Sequence, residues 1–442
     1  MTDSHARSTT TSKAWLVVGW SALIAFVLGA AWVGDIYTPA RRVFGVTAYP
    51  IVVWQVLYVV GFVGYVILLR TFSRRSPGTW IIILAAIGLR LPLLFCPPNS
   101  DCNRYIWEGW IQNEGYSPYT LAPNQAPPEL CDKIHAGINH PHYPTIYPPL
   151  SQLAFRAMAS VCYSVKTPQV VHTILDVCVV LMIATLLRKL GRPDWHLAVY
   201  ALCPMVLASF AHAGHNDPLI LLAILGFIYL AMDKRWALAG GSLGLAVLAK
   251  TTPAILLALL PRRSWKAIGV ALATIAAGYL LYFRAGEGLF DVLKKFPNDG
   301  PFNNPFDAIR GLWNDLGAPR MFISTRNHIA LVVLALAAIR FAWRPRDLVN
   351  DARWLLVITV LLLPIIHFWY LTWPFVLVTL QFRGRWAWVA LTGTMALYWY
   401  ADFAGLAGMR WDLPKWAVGA IWAPFFAVWF YEWRKCAKSC AD

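Results

Sequence analysis

The sequence predicts an all-α, polytopic integral membrane protein with about 12–14 transmembrane helices. Three observations predict it. Hydrophobic residues make up 58% of the 442-residue chain and charged residues only 14%, against about 25% in a soluble domain. So little charge cannot cover the surface of a soluble protein this long. The apolar residues fall in blocks such as 14–34, 49–69 and 170–187, near the roughly 20 residues that cross a bilayer as helix. The 23 Trp and 18 Tyr gather at block ends, where an interfacial aromatic belt sits.

Taken in order, the predicted spans are 14–34, 49–69, 79–96, 169–187, 195–212, 218–232, a pair within 236–261, 265–283, 327–343, 353–366, 370–383, 386–403 and 415–432. A polar stretch, 1–13, precedes the first apolar run, which is too long for the core of a cleavable signal. The formal net charge is +16, and its distribution follows the positive-inside pattern. Clusters such as Arg70/Arg74/Arg75, Arg188/Lys189/Arg192 and Arg262/Arg263/Lys266 fall on one side. The short loops of the other side hold only Arg41, Arg42, Arg410 and Lys415. Both termini are then cytoplasmic in a multi-pass cell membrane, a bacterial cytoplasmic membrane being the leading expectation. The lipid bilayer is a partner and nucleic acid is not.

Charge parity also settles an ambiguous stretch. If 149–165 crossed the membrane, Arg188, Lys189 and Arg192 would fall outside. An amphipathic helix at the outer interface is the better expectation. Residues 97–168 then form one long extracytoplasmic loop, and 284–326 a second. The stretch 236–261 carries Lys250-Thr-Thr-Pro253 in its middle and is either two short spans or a re-entrant pair. Three stretches result: a two-helix addition over 1–78, a module over 79–283, and 284–442 with the second loop and the last helices. Eight cysteines show no metal spacing. Cys96, Cys102 and Cys131 lie in or beside the first loop, so a Cys102–Cys131 disulfide is one of several open pairings.

Polar chemistry collects at helix ends on the outer side rather than at the midplane, which points to a reaction at the membrane surface. The first loop opens Asn99-Ser-Asp-Cys-Asn-Arg-Tyr-Ile-Trp-Glu-Gly109. Asp101, Arg104, Tyr105 and Glu108 share one helical face. A positioned carboxylate can act as a general base, and a nearby cation can steady an anionic leaving group. Asp101 could equally cap a helix. Tyr116-Ser-Pro-Tyr119 and Tyr143-Pro-Thr-Ile-Tyr147-Pro-Pro suit sugar stacking or interfacial packing. His212-Ala-Gly-His215-Asn216-Asp217-Pro is a polar turn between spans. Substrate binding, a metal site and a cap for the next helix are all open there. Lys250 needs a partner at membrane depth, either a lipid phosphate or Asp217. His367, in Ile366-His-Phe-Trp-Tyr370, could face a phosphate or join the aromatic belt.

These strings in this order resemble the GT-C superfamily of membrane glycosyltransferases. The likeness is closest to bacterial polyprenyl-phosphate-mannose-dependent mannosyltransferases. It is carried by Asp101…Arg104-Tyr105…Glu108-Gly109, Tyr116-Ser-Pro-Tyr119, Tyr147-Pro-Pro-Leu150, His215-Asn-Asp217, Lys250-Thr-Thr-Pro253 and His367…Trp369-Tyr370…Trp373. The resemblance implies transfer of a sugar, mannose first, from a polyprenyl-phosphate donor to a glycolipid or glycan hydroxyl outside the cell. It implies inversion, with Asp101 as base. Arg104, Lys250, His367 and Tyr370 are then candidates for the donor phosphate and lipid. Tyr105, Glu108, Tyr119, Tyr147, His215, Asn216 and Asp217 are candidates for substrate contact. Lys294, Lys295, Asp299, Arg310, Arg320 and Arg326 of the second loop could bind acceptor or head group. Asp101-Cys-Asn103 lacks a second acid, so no metal or other cofactor is expected. A transporter or flippase of lipid-linked sugars is the alternative; it would call for inverted repeats and broken helices meeting mid-membrane.

Overall fold

A computed structural model describes residues 2–290, 301–317, 323–381 and 385–438. Its longer helices are α1 (Thr2–Val33), α2 (Pro50–Phe72), α3 (Thr79–Arg90), α4 (Asp101–Asn113), α5 (Pro149–Val161), α6 (Lys166–Lys189) and α7 (Asp217–Met232). There follow α8 (Trp236–Ala249), α9 (Trp265–Leu280), α10 (Pro305–Asp315), α11 (Ile323–Trp343), α12 (Leu348–Leu362), α13 (Arg385–Thr394) and α14 (Lys415–Lys438). One antiparallel hairpin, β1 (Arg41–Val43) with β2 (Val46–Ala48), is the only sheet among the described residues. The chain is an all-α membrane protein, as its composition predicts. By length and composition alone, Lys13–Val33, Pro50–Phe72, Lys166–Lys189 and Thr325–Trp343 can each cross a bilayer. Shorter apolar helices include Thr79–Phe95, Trp236–Ala249, Trp265–Leu280 and Phe368–Leu380.

The chain divides into two compact units, and neither is contiguous in sequence. The first comprises Met1–Pro97, Ile183–His212 and Val378–Asp442. Its α1 and α2 pack through small residues. A Cβ at Gly64 would stand 2.6 Å from the Gly19 carbonyl oxygen, and one at Gly61 would stand 2.6 Å from Phe26 Cβ. Lipid supplies little hydrophobic drive between helices, so such close approach is what binds them. Phe26, Trp54, Tyr58 and Trp399 pack in tilted and edge-on pairs as an aromatic cluster in this unit. Arg90, at membrane depth in sequence, is buried and donates to the carbonyls of Ala86 (2.8 Å) and Ala201 (3.0 Å). The predicted span 195–212 breaks into His196–Ala201 and Pro204–Leu207, because Pro204 cannot donate within a continuing helix.

The second unit comprises Pro98–Met182 and Ala213–Leu377. It holds both predicted long loops. Helix α5 runs 13 residues, about 20 Å, which is too short to span. Its Ser151, Gln152, Phe155 and Met158 are buried, and it lies against α4. The approach is backbone to backbone: a Cβ at Gly109 would collide with the Phe155 carbonyl oxygen. Gly109→Ala is therefore expected to lower stability by about 1–3 kcal/mol or more. A thermal unfolding midpoint in detergent checks it; an unchanged midpoint would mean that the helices can separate freely. The stretch 236–261 resolves into α8 and a 3₁₀ helix, Thr252–Leu259, with Lys250 extended between them.

The disulfide pairing left open in the sequence is not formed, and both thiols are free. Cys102 is buried, with Sγ 3.6 Å from the carbonyl oxygens of Ala213 and Gly214. Cys131 is exposed and points to the Ala126 and Pro127 carbonyls. Of these two, only Cys131 should react with a maleimide in the folded protein. Peptide mass mapping under non-reducing conditions would reveal a bridged pair and refute this.

Candidate active site

Asp101 opens α4, the first helix after the α3 region. It does not cap that helix: Asn99 Oδ1 accepts from the Asp101 backbone N–H (3.0 Å). The carboxylate is held by side chains instead. Asn139 Nδ2 donates to Oδ1 at 2.8 Å, and Tyr105 Oη donates to Oδ2 at 3.4 Å. His215 Nδ1 lies 3.2 Å from Oδ2, within ion-pair range but off the line of a well-formed hydrogen bond. The Asp101 side chain keeps 17% exposure, so it stays in reach of a substrate. Burial pushes its carboxyl up, but the His215 and Asn139 contacts outweigh burial and hold it well below the usual carboxylate range.

His215 comes from the polar turn that precedes α7. Gly214 there has φ +77, and a Cβ on it would stand 2.7 Å from Cys102 Sγ, so only glycine fits. His172 Nδ1 donates to the Gly214 carbonyl (2.8 Å) and secures the turn. The His215 ring is fully buried and stacks on Trp369 (centroids 3.6 Å apart, 20°). Trp369 stacks in turn on His367 (4.3 Å, 4°). Burial pushes His367 down to about 3, so this ring is uncharged at neutral pH in the structure as it stands.

The next links carry charge. Tyr370 packs edge-on to His367 (5.3 Å), and Lys250 Nζ sits 4.1 Å from the Tyr370 ring centre and 4.8 Å from that of Trp373. Lys250 pairs with Asp217 Oδ1 at 3.3 Å, which answers the question its position in the sequence raises. Trp373 Nε1 donates to the same oxygen at 2.6 Å. Asp217 thus serves as an ion-pair partner, and makes no side-chain cap to α7. Among the described residues, the buried Asp217 Oδ2 and His215 Nε2 have no hydrogen-bond partner. Buried polar atoms are nearly always paired, and an exception asks for a reason.

The structure therefore brings Asp101, Tyr105, His215, Asp217, Lys250, His367 and Tyr370 into one connected cluster. Tyr147 adjoins it through its hydroxyl, 3.5 Å from that of Tyr105. Other expected residues are wired elsewhere. Arg104 donates to Glu108 (3.0 Å) and to the carbonyls of Asn139, His140 and Tyr143. Glu108 also accepts from Gln152 (2.6 Å). Burial raises its pKa despite Arg104 and Gln152. Through these bonds the pair braces the loop that delivers Asn139. Tyr119 donates to the Tyr147 carbonyl (3.0 Å), and Asn216 donates to Ser151 Oγ (3.2 Å). Arg310 pairs with Asp307 and Arg326 donates to the Leu363 carbonyl. Lys294, Lys295, Asp299 and Arg320 lie outside the described residues. Sequence reasoning missed Asn139 and His172 altogether. Asn139 sits in a His- and Pro-containing coil 38 residues from its partner, with no local signal. Among the described residues no three His, Cys, Asp or Glu side chains are grouped to hold a metal ion.

A helical membrane protein with a carboxylate, a lysine and stacked aromatic rings gathered in one unit has the equipment of a membrane-bound group-transfer enzyme. Residues 16–262 match the profile of the MptA_B family, described as "Alpha-(1->6)-mannopyranosyltransferase, N-terminal domain". The match covers more than half of the chain, and the protein belongs to that family. It is a glycosyltransferase whose family describes mannosyl transfer, in agreement with the GT-C resemblance. The match begins within α1 and takes in α2. Comparison with functionally curated proteins finds no significant match.

Proposed function

We propose that the protein moves a mannosyl group from a polyprenyl-phosphate donor to a hydroxyl of a glycolipid or glycan, on the extracytoplasmic face of a bacterial cytoplasmic membrane, with inversion. The observation that carries this reading is a partly exposed, firmly held carboxylate, Asp101, joined through His215, Trp369, His367 and Tyr370 to the Lys250 ammonium.

In this mechanism the acceptor oxygen attacks the anomeric carbon as the bond from that carbon to the phosphate oxygen breaks. The hydroxyl proton passes to Asp101, and the electron pair leaves with the lipid phosphate. Lys250 steadies the phosphate charge. A carboxylate held below its usual range is ionised but weakly basic. The incoming phosphate charge and the exclusion of water both favour the neutral acid, so Asp101 gains proton affinity when both substrates are bound. Positioning supplies much of the remaining rate. The family's α-(1→6) description implies a primary 6-hydroxyl as nucleophile. An α linkage made with inversion requires a β-linked donor. No metal takes part in this scheme, because Lys250 answers the single phosphate.

The test is transfer of label from polyprenyl-phosphate-[¹⁴C]mannose to envelope extract by purified protein in detergent, with and without EDTA. Labelled product of equal yield in both is expected. Product lost with EDTA and restored by a divalent cation would overturn the metal-free scheme. No product from this donor, with product from a sugar nucleotide, would overturn the donor.

A further inference from the structure

Helix α10 carries an exposed apolar face that the described residues leave largely uncovered. Phe306, Ile309, Leu312 and Leu316 are all exposed, from 41% to 76%. At about 100° per residue they fall within an arc of roughly 120°. The opposite side carries the Asp307–Arg310 ion pair (2.6 Å) and Asn314. With 11 residues the helix is about 16 Å long and cannot cross a bilayer.

Its start is fixed in place. Asn304 caps it, accepting from the Asp307 N–H (2.8 Å), and donates through Nδ2 to the Leu363 carbonyl (2.6 Å). Arg326, at the start of α11, donates to that same carbonyl (2.9 Å). Leu363 directly follows α12. One oxygen thus joins the beginning of α10 to the ends of two apolar helices. The candidate span in α11, Thr325–Trp343, has only 11% of its apolar window buried, so most of that apolar surface faces away from the protein.

We infer that the apolar face of α10 lies in the interfacial layer of the bilayer, with phospholipid acyl chains as its occupant. Such a helix inserts apolar side chains below the head groups and keeps its charges in water. The anchor reaches the candidate active site. Phe302 N–H donates to the Pro364 carbonyl (3.1 Å), and Ile366 N–H donates back to Phe302 (2.9 Å). Asn303 Nδ2 donates to the Ile366 carbonyl (3.0 Å), one residue before His367. The segment that carries the His367–Trp369 stack is thereby pinned to a helix seated on lipid, at the depth where a lipid-borne phosphate would stand.

Photocrosslinking tests this on the full chain in native membranes. p-Benzoylphenylalanine replaces Ile309, Leu316 or, on the polar side, Asn314, and Leu331 on α11 serves as the lipid-facing reference. Ile309 and Leu316 should give phospholipid adducts at the Leu331 level, about tenfold above Asn314. Lipid yields at Ile309 and Leu316 no higher than at Asn314 would overturn the inference. So would their capture of a second copy or another protein. Adduct mass is read without any sugar transfer, so this result is separable from failure of the proposed reaction.

Discussion

Asp101→Asn should reduce transfer by about 10²–10⁴-fold while leaving the fold intact, because the amide keeps the shape of the side chain and loses the proton acceptor. The substituted oxygen can still accept from Asn139 Nδ2, so the loop stays attached. The loss should appear in kcat with donor KM little changed, since no donor contact is removed. Two pH effects follow. The Asp101 carboxyl is held well below its usual range, so it should give no acid limb in kcat/KM above about pH 4. Its ionised form also favours the folded state. That contribution is complete above the unfolded value of about 3.9 and is lost as pH falls through the lower folded value. The difference in melting temperature between wild type and Asp101→Asn should therefore shrink below about pH 4. His367, pushed down to about 3, adds a stability term that is complete above about 6.5 and is lost as pH falls to about 3. A variant with near-normal turnover would remove Asp101 from the role of base.

Composition and block length were enough for the fold class, because lipid imposes one rule on every residue of a span. Basic-residue parity argued against a span over 149–165, and the 13-residue α5, short for a crossing and with Gln152 bonded to Glu108, is consistent with that. Asp101, His215 and Lys250 were legible because each is a polar group at a helix end next to apolar sequence. Their partners were harder. The i, i+4 spacing that joins Arg104 to Glu108 also suggested that both would join Asp101 at the site. It could not show that Arg104 spends its donors on three carbonyls of the loop. Asn139 and His172 act from other elements, and no periodicity connects 101 to 139 or 172 to 214. The stack of His215, Trp369 and His367 is also tertiary. The sequence holds the rings but not their order.

Lys250 and Asp217 make the second large effect, and they allow fold and function to be separated. Lys250→Met strands the Asp217 carboxylate, buried and with only Trp373 left to donate to it among the described residues. Breaking one side of a buried pair costs about 3–5 kcal/mol, so this variant should unfold early and yield little protein. Lost activity in it would mean nothing by itself. The double variant Lys250→Met with Asp217→Asn removes both charges, and Trp373 Nε1 can still donate to the amide oxygen. It should recover most of the lost melting temperature. If Lys250 serves the donor phosphate, the stable double variant should still have lost transfer, about 10²–10³-fold, the scale set by removing one charge-stabilising donor. If the pair serves only the fold, activity should return with stability. Lys250→Arg sharpens the result, because the guanidinium keeps the charge but not the compact ammonium that fits over Tyr370 and Trp373. Partial activity with a raised donor KM in that variant would tie the ammonium to the leaving phosphate.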